Sequence, residues 1–207
     1  VFASSVAVYG GDMPPVITDA TSLNPQTSYG SQKAMGEMMV NDWSRKGFVD
    51  GCSLRLPTVV VRPGKPNKAA STWASSIIRE PLQGHQAVCP VDDSVSMWVG
   101  SPRAVVKSFL HAHDLPAAAF GPNRSVLLPG MTVSVRTMMD TLKKVGGPEV
   151  AARVAFQKDE RIARIVAGWA YRVEPKRAAE LGFAADESYE TIVRSFVEDD
   201  IERSRAA

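Results

Sequence analysis

The sequence predicts an α/β protein: a parallel sheet first, then a smaller, helix-rich mixed portion. Three observations carry this. Val1 to Val8 is apolar until a serine pair, Ser4-Ser5, as expected of a strand buried on both faces. A helical segment follows a proline-rich loop, and Gly51 to Leu56 then reads as a second strand, so the chain alternates β-α-β up to about residue 60. Beyond that point short apolar runs lie among many helical segments.

The elements follow in order. Gly10 to Asn24 is a loop, because Met13-Pro14-Pro15 is too proline-rich for a helix. Ser28 can cap a helix that runs to about Lys46 and stops at Gly47, with Ala34, Met38 and Val40 as its apolar side. Pro57 ends the second strand. Pro63 to Ala70 is a basic loop, and Ser71 or Thr72 starts a helix that closes near Glu80, before Pro81. Val95 to Val99 is a short strand. Ser101-Pro102 opens a helix to about His113, with proline in the first turn where its missing N–H costs nothing. A strand at Val126 to Leu128, a helix from Val135 to Val145 and a strand near Arg153 to Gln157 come next. Helices at Asp159 to Ala170, Pro175 to Leu181 and Ser188 to Ile201 complete the chain.

Composition excludes several classes. With 207 residues, 44% hydrophobic and 22% charged, the chain is ordinary for a soluble globular protein. A net charge of +2 gives no reason to invoke nucleic acid or an anionic membrane. No apolar run is long enough to span a bilayer. Cys52 and Cys89 have no metal-ligand spacing and predict reduced thiols in a cytoplasmic protein. His85, His111 and His113 have no ligand partners at useful spacing, so no metal is expected.

The chemistry lies in one spacing. Ser4-Ser5-Val6-Ala7-Val8-Tyr9-Gly10 closes the first strand, and Tyr29 and Lys33 follow four residues apart in the first helix. Residues four apart share a helix face, so phenol and ammonium point into one cleft. A neighbouring cation favours phenolate over phenol. The pair therefore predicts a tyrosine that exchanges a proton with a substrate hydroxyl, oriented by a serine hydroxyl.

Ser-Ser-x-x-x-Tyr-Gly followed by Tyr-x-x-x-Lys, with the lead-in Pro25-Gln26-Thr27-Ser28-Tyr29-Gly30, resembles the extended short-chain dehydrogenase/reductase family, which includes nucleotide-sugar epimerases and dehydratases. The run Leu54 to Ser71 looks like one branch in particular, the D-erythronate dehydrogenases. The resemblance implies the C-terminal part of a Rossmann-like doubly wound parallel sheet with a smaller mixed α/β substrate-binding portion. Residues 1–62 would be the second half of the dinucleotide-binding domain and 63–207 mainly the substrate portion, interleaved with the last Rossmann elements. It implies NAD as cofactor and a Ser5, Tyr29, Lys33 triad, with Ser4 as the fallback hydroxyl. Lys33 and Tyr29 would also hold the nicotinamide ribose, and the Pro57-Thr58-Val59 backbone the carboxamide. Epimerases of this kind usually carry Asn at the place of Thr58 and Arg-Asp-Tyr-Ile-His-Val at the place of Ser96 to Ser101. Both departures weaken a nucleotide-sugar substrate.

Arg62, Lys65 and Lys68 form a basic loop next to that segment, and a planar guanidinium there suits a carboxylate. The expected substrate is a small molecule, a sugar acid bound by Ser5, Tyr29, Arg62, Lys65, Asn67 and Ser71, with Trp73 and Trp98 as candidate walls. The alternatives are a nucleoside-diphosphate-sugar 4-epimerase with the same triad and a non-catalytic NAD-binding relative. The resemblance also implies a homodimer, with Met35, Met38 and Met39 as packing or dimer contacts. No strand here leads into a Gly-x-x-Gly-x-x-Gly turn. The expectation is that the N-terminal third or more of the family's domain lies outside this sequence, which leaves the first strand with an open edge or a separate neighbour.

Overall fold

The computed structural model describes residues 1–65 and 69–203. Strand β1 (Phe2–Ser5) is shorter than its apolar run, because the Ser5 hydroxyl accepts the Ala7 N–H and turns Val6–Val8 into a single 3₁₀ turn. The proline-rich loop contains β2 (Ile17–Thr18). Helix α1 (Ser28–Arg45) is capped by Thr27 rather than Ser28: the Thr27 hydroxyl accepts the Gly30 N–H at 3.0 Å. Strand β3 (Ser53–Leu56) is separated by Pro57 from β4 (Thr58–Val59).

Helix α2 (Thr72–Leu82) runs through Pro81 rather than stopping before it, so that residue returns no N–H to the preceding turn and the helix ends one residue later. Strands β5 (Ala87–Cys89) and β6 (Ser96–Gly100) lead to α3 (Pro102–Asp114), whose first turn is held by a double tie. Ser101 Oγ accepts the Ala104 N–H, while Asp186 accepts both the Ser101 N–H at 2.8 Å and its hydroxyl at 2.6 Å. Then come α4 (Ala117–Phe120), β7 (Ser125–Leu127), β8 (Met131–Ser134), α5 (Val135–Gly146) and α6 (Pro148–Ala151). The chain closes with β9 (Val154–Phe156), α7 (Glu160–Ala167), β10 (Val173–Glu174), α8 (Lys176–Glu180) and α9 (Tyr189–Phe196), which continues as a π-helical stretch, Val197–Glu202.

Strands β1, β3 and β7 form one parallel sheet in the order β1-β3-β7, with Phe2 opposite Ser53 and Ser53 opposite Ser125. Among the described residues β1 has no partner on its other side, so the expected open edge is present. A second sheet, β4-β6-β8, pairs β4 with β6 in parallel and β6 with β8 antiparallel. Two parallel pairs, β2 with β10 and β5 with β9, tie distant parts of the chain together.

Burial divides the apolar side chains among three clusters. The largest gathers Ile77 and Ile78 of α2, Met138 and Leu142 of α5, and Ile192 and Phe196 of α9 around the second sheet. Cys52, Leu54, Val126 and Phe183 pack on one side of the first sheet, and Val8, Tyr9, Ala34 and Leu127 with Trp98 on another. The apolar side expected for α1 is corrected here. Met38 is exposed and Val40 only half-buried, and the buried face of α1 is Gly30, Ala34 and Glu37.

Candidate functional site

The candidate site forms where the N-terminal end of α1 meets the C-terminal end of β1. Close approach depends on a missing side chain. A Cβ on Gly30 would lie 2.1 Å from the Ala7 carbonyl oxygen, so only glycine lets α1 rest on the turn that follows Ser5. Six residues on, a Cβ at Gly36 would lie 2.5 Å from the Phe2 ring. Tyr29 and Lys33 stand on the helix face that this contact brings to β1. Tyr29 is half-exposed. Lys33 Nζ lies 5.5 Å from the centre of the Tyr29 ring and 5.0 Å from that of Phe2, and donates to the Ala3 carbonyl at 2.7 Å. One of its three N–H groups is thus spent on the strand and two remain.

Ser5 and Ser4 separate cleanly. Ser5 Oγ accepts one backbone N–H at 3.1 Å, which leaves its own hydrogen free to donate. Ser4 is buried and its hydroxyl donates to Glu37, so the fallback serine is not available to a substrate. Pro57 is buried, and Thr58 and Val59 are half-buried in β4, an edge strand whose sheet partner is β6. The backbone of Arg62 is pinned at both ends. Its N–H donates to Ser75 Oγ at 3.1 Å and its carbonyl accepts from Arg79 Nη1 at 2.7 Å. The Arg62 guanidinium, half-buried, has no partner among the described residues. Lys65 is exposed, and Ser71 is half-buried at the start of α2, where its hydroxyl caps no backbone group. Asn67 and Lys68 lie outside the described residues.

Both tryptophans are buried in core clusters, and one of them also borders a groove. Trp73 lines a groove of about 760 Å³ between α2, Val88-Pro90 and Gln157 to Ile165. Trp98 is core, packed against Gly130, where a Cβ would meet its indole at 3.0 Å. Burial pushes the thiols of Cys52 and Cys89 up, so both stay protonated at neutral pH. Among the described residues no group of three or more His, Cys, Asp or Glu could hold a metal ion.

Behind the candidate triad stands a buried polar network that sequence reasoning missed. Arg55 of β3 grips the Glu37 carboxylate with Nε at 3.0 and 3.1 Å and Nη2 at 2.6 Å, and donates through Nη1 to Tyr9 Oη at 2.7 Å. Ser4 Oγ completes it on Glu37. Burial is the largest single influence on Arg55 and favours its neutral form, but the hydrogen bonds and charge of Glu37 together with Tyr9 outweigh it and raise its pKa. Burial likewise pushes the Tyr9 phenol up, against the opposing pull of Arg55. Two signals were present in the sequence. Glu37 continues the Tyr29, Lys33 spacing by four more residues, and Arg55 is a lone charge in a strand.

A parallel sheet flanked by helices, with a Tyr/Lys helix docked on a serine-bearing strand end, is the architecture of a Rossmann-type α/β protein. Residues 1–120 match the NAD dependent epimerase/dehydratase family, and the chain belongs to that family. It is 46% identical over 201 residues to a D-erythronate dehydrogenase of Haemophilus influenzae, covering 97% of this chain and 64% of that protein. A second D-erythronate dehydrogenase, from Cupriavidus necator, is 49% identical over 199 residues, covering 96% of this chain and 61% of its own length. The chain thus spans somewhat under two thirds of these relatives. Among solved structures, the nucleoside-diphosphate-sugar epimerase of Agrobacterium tumefaciens superposes with a TM-score of 0.93 at 44% identity, over 97% of this chain and 58% of that one. An L-threonine 3-dehydrogenase of Trypanosoma brucei, 19% identical, shares the fold at a TM-score of 0.83 over 95% of this chain and 60% of its own.

Proposed function

We propose that this chain carries the catalytic half of an NAD-dependent dehydrogenase that oxidises a secondary alcohol of a small sugar acid, a D-erythronate-like 2-hydroxy acid. The observation that carries the reading is the docking of Tyr29 and Lys33 on the strand end bearing Ser5; the D-erythronate dehydrogenase relatives supply the substrate class. Tyr29, as phenolate, takes the proton of the substrate hydroxyl. Ser5, already accepting from Ala7, donates its own hydrogen to the same oxygen and so fixes its place. Lys33 keeps positive charge beside the phenolate and offers its two remaining N–H groups to a ribose diol. Pro57, Thr58 and Val59 suit the carboxamide, because β4 is an edge strand with backbone groups to spare. When bound, NAD supplies the hydride acceptor. Its pyrophosphate calls for backbone N–H groups at a glycine-rich turn, which this sequence does not contain.

Arg62 is the proposed clamp for the substrate carboxylate, with Lys65 and Ser71 nearby. The backbone bonds to Ser75 and Arg79 support this, since they hold the arginine in place while its side chain stays unpartnered among the described residues. On this reading residues 1–62 belong to the nucleotide-binding half and 63–207 mainly to the substrate portion. The exposed Met35, Met38, Met39 and Trp43 of α1 suit a homodimer contact, and the two unpaired thiols suit the cytoplasm. No helix among the described residues is long and apolar enough to cross a membrane.

A 4-epimerase using the same three residues is the second reading, favoured by the name of the Agrobacterium relative. The full-length protein, given NAD and a panel of four- to six-carbon sugar acids and UDP-sugars, is expected to accumulate NADH with a sugar acid, followed by absorbance. Interconversion of UDP-sugars with no net NADH would reverse the choice.

A further inference from the structure

We infer that Glu37 is a positioning residue for the catalytic set, acting through Ser4 and Arg55 to fix β1 and β3 against α1. The inference rests on the proposed roles of Ser5, Tyr29 and Lys33. Glu37 is 2% exposed, and its carboxylate is consumed within the protein by Ser4 Oγ and by Arg55, itself 8% exposed. It reaches no solvent that a substrate could share.

A buried ion pair is weak evidence for stability, since apolar side chains of similar volume often serve as well. What an apolar pair cannot supply is direction. Tyr29, Lys33 and Glu37 recur every four residues along one helix face. The first is proposed to meet substrate. The other two hold the strand that carries Ser5: Lys33 grips the Ala3 carbonyl and Glu37 the Ser4 hydroxyl. Two consecutive residues of β1 are therefore tied to α1 just before Ser5. Arg55 extends the tie to β3, two residues before Pro57-Thr58-Val59, and to Tyr9 beyond the Ser5 turn. Without Glu37 the side-chain hydrogen bonds from α1 to β1 among the described residues fall to that of Lys33, whose ammonium has other work. Misplacement of reacting groups by about 1 Å can cost on the order of 10²-fold in rate.

The test separates positioning from plain stability in the full-length protein. The paired replacement Glu37→Met with Arg55→Met removes the charges together and leaves an apolar filling. We expect a melting temperature lowered moderately, because the buried Ser4 and Tyr9 hydroxyls lose their partners, and, well below that melting temperature, kcat lowered by about tenfold to 10²-fold with KM for the sugar acid little changed. Wild-type kcat in a stably folded pair would overturn the inference. Ser4→Ala is the second variant, informative even if the pair does not fold. It leaves the Glu37–Arg55 grip intact and removes only the tie to β1, so a fall in kcat without a fall in melting temperature is expected, and unchanged kcat would reject the role. Tyr29→Phe is measured alongside. If that variant turns over normally, the catalytic reading has failed. If it is dead while the Glu37 and Ser4 variants are normal, only the positioning role has failed.

Discussion

Two buried regions of this protein are built on opposite principles. Around α2, α5 and α9 the interior is Ile77, Ile78, Met138, Leu142, Ile192 and Phe196, held by volume and exclusion of water. Between α1 and the first sheet the interior includes Ser4, Glu37 and Arg55, held by directed hydrogen bonds. Apolar packing tolerates a change of shape at modest cost, because neighbours relax into the space. A directed network tolerates much less, since removing one member strands the others without partners. The stricter region is the one that faces the proposed chemistry.

The largest effect should come at the edge of the polar region. Tyr29→Phe in the full-length protein is expected to lower turnover by about 10²–10⁴-fold, the scale of a lost general base. Its melting temperature should hardly move, because the side chain is half-exposed. Turnover within a few-fold of wild type, by NADH absorbance, would break the distinction between the regions at its most important point.

Next in size is Gly30→Ala. The new methyl would meet the Ala7 carbonyl at 2.1 Å, against backbone that has no rotamer to yield, so the helix must lift from the Ser5 turn. A stability loss of about 1–3 kcal/mol is expected by urea unfolding, as for overpacking, together with a severe loss of turnover. The counterpart in the apolar region is Ile78→Val, which should cost about 0.5–1.5 kcal/mol and leave turnover intact. Equal turnover losses in the two variants would erase the contrast.

The smallest effect is a pH dependence. Burial raises the pKa of Cys89 in the apolar region and of Tyr9 in the polar one. The folded state then keeps protons that the unfolded chain releases at lower pH. The stability these groups contribute is fully present below their unfolded values and is lost as pH rises through the folded ones. Thermal melting should therefore be flat near neutrality and decline above about pH 8.5, where unfolded thiols ionise, then more steeply above about pH 10 as unfolded phenols do. Cys89→Ala should remove part of the first decline and leave the second. Melting that rises with pH over this range would contradict the assignment.

The elements that frame the polar region could be read from the sequence, although the Glu37–Arg55 network inside it could not. The β-α-β order, the Tyr29, Lys33 spacing and the proline after Leu56 are local signals, and the structure has β1, α1 and β3 within a few residues of their expected places. The buried face of α1 could not be read from apolarity. Met38 drew attention as an oily residue and points outward, whereas the helix turns Glu37 inward because Arg55 is there to meet it. The short elements β2, β5 and β8 escaped for a different reason. Two to four residues carry little periodicity, and Ile17–Thr18 becomes a strand only by pairing with Val173–Glu174, far along the chain. The proposed carboxylate clamp was legible only in part, as a cluster of positive charge; that Ser75 and Arg79 pin the Arg62 backbone depends on α2 folding back over it.

Among the described residues β1 has one side without a strand partner. Phe2 turns its N–H toward β3, where Cys52 accepts it, so the backbone groups of Ala3 and Ser5 face outward. A row of such groups is a template for a strand from another molecule. Lys33 already donates to the Ala3 carbonyl, and an incoming strand would compete with that ammonium for the same oxygen. Colloidal behaviour and the proposed chemistry therefore meet on one side chain. Replacing Lys33 to probe turnover also unguards the edge, and the solubility of such a variant needs measuring before its kinetics are interpreted.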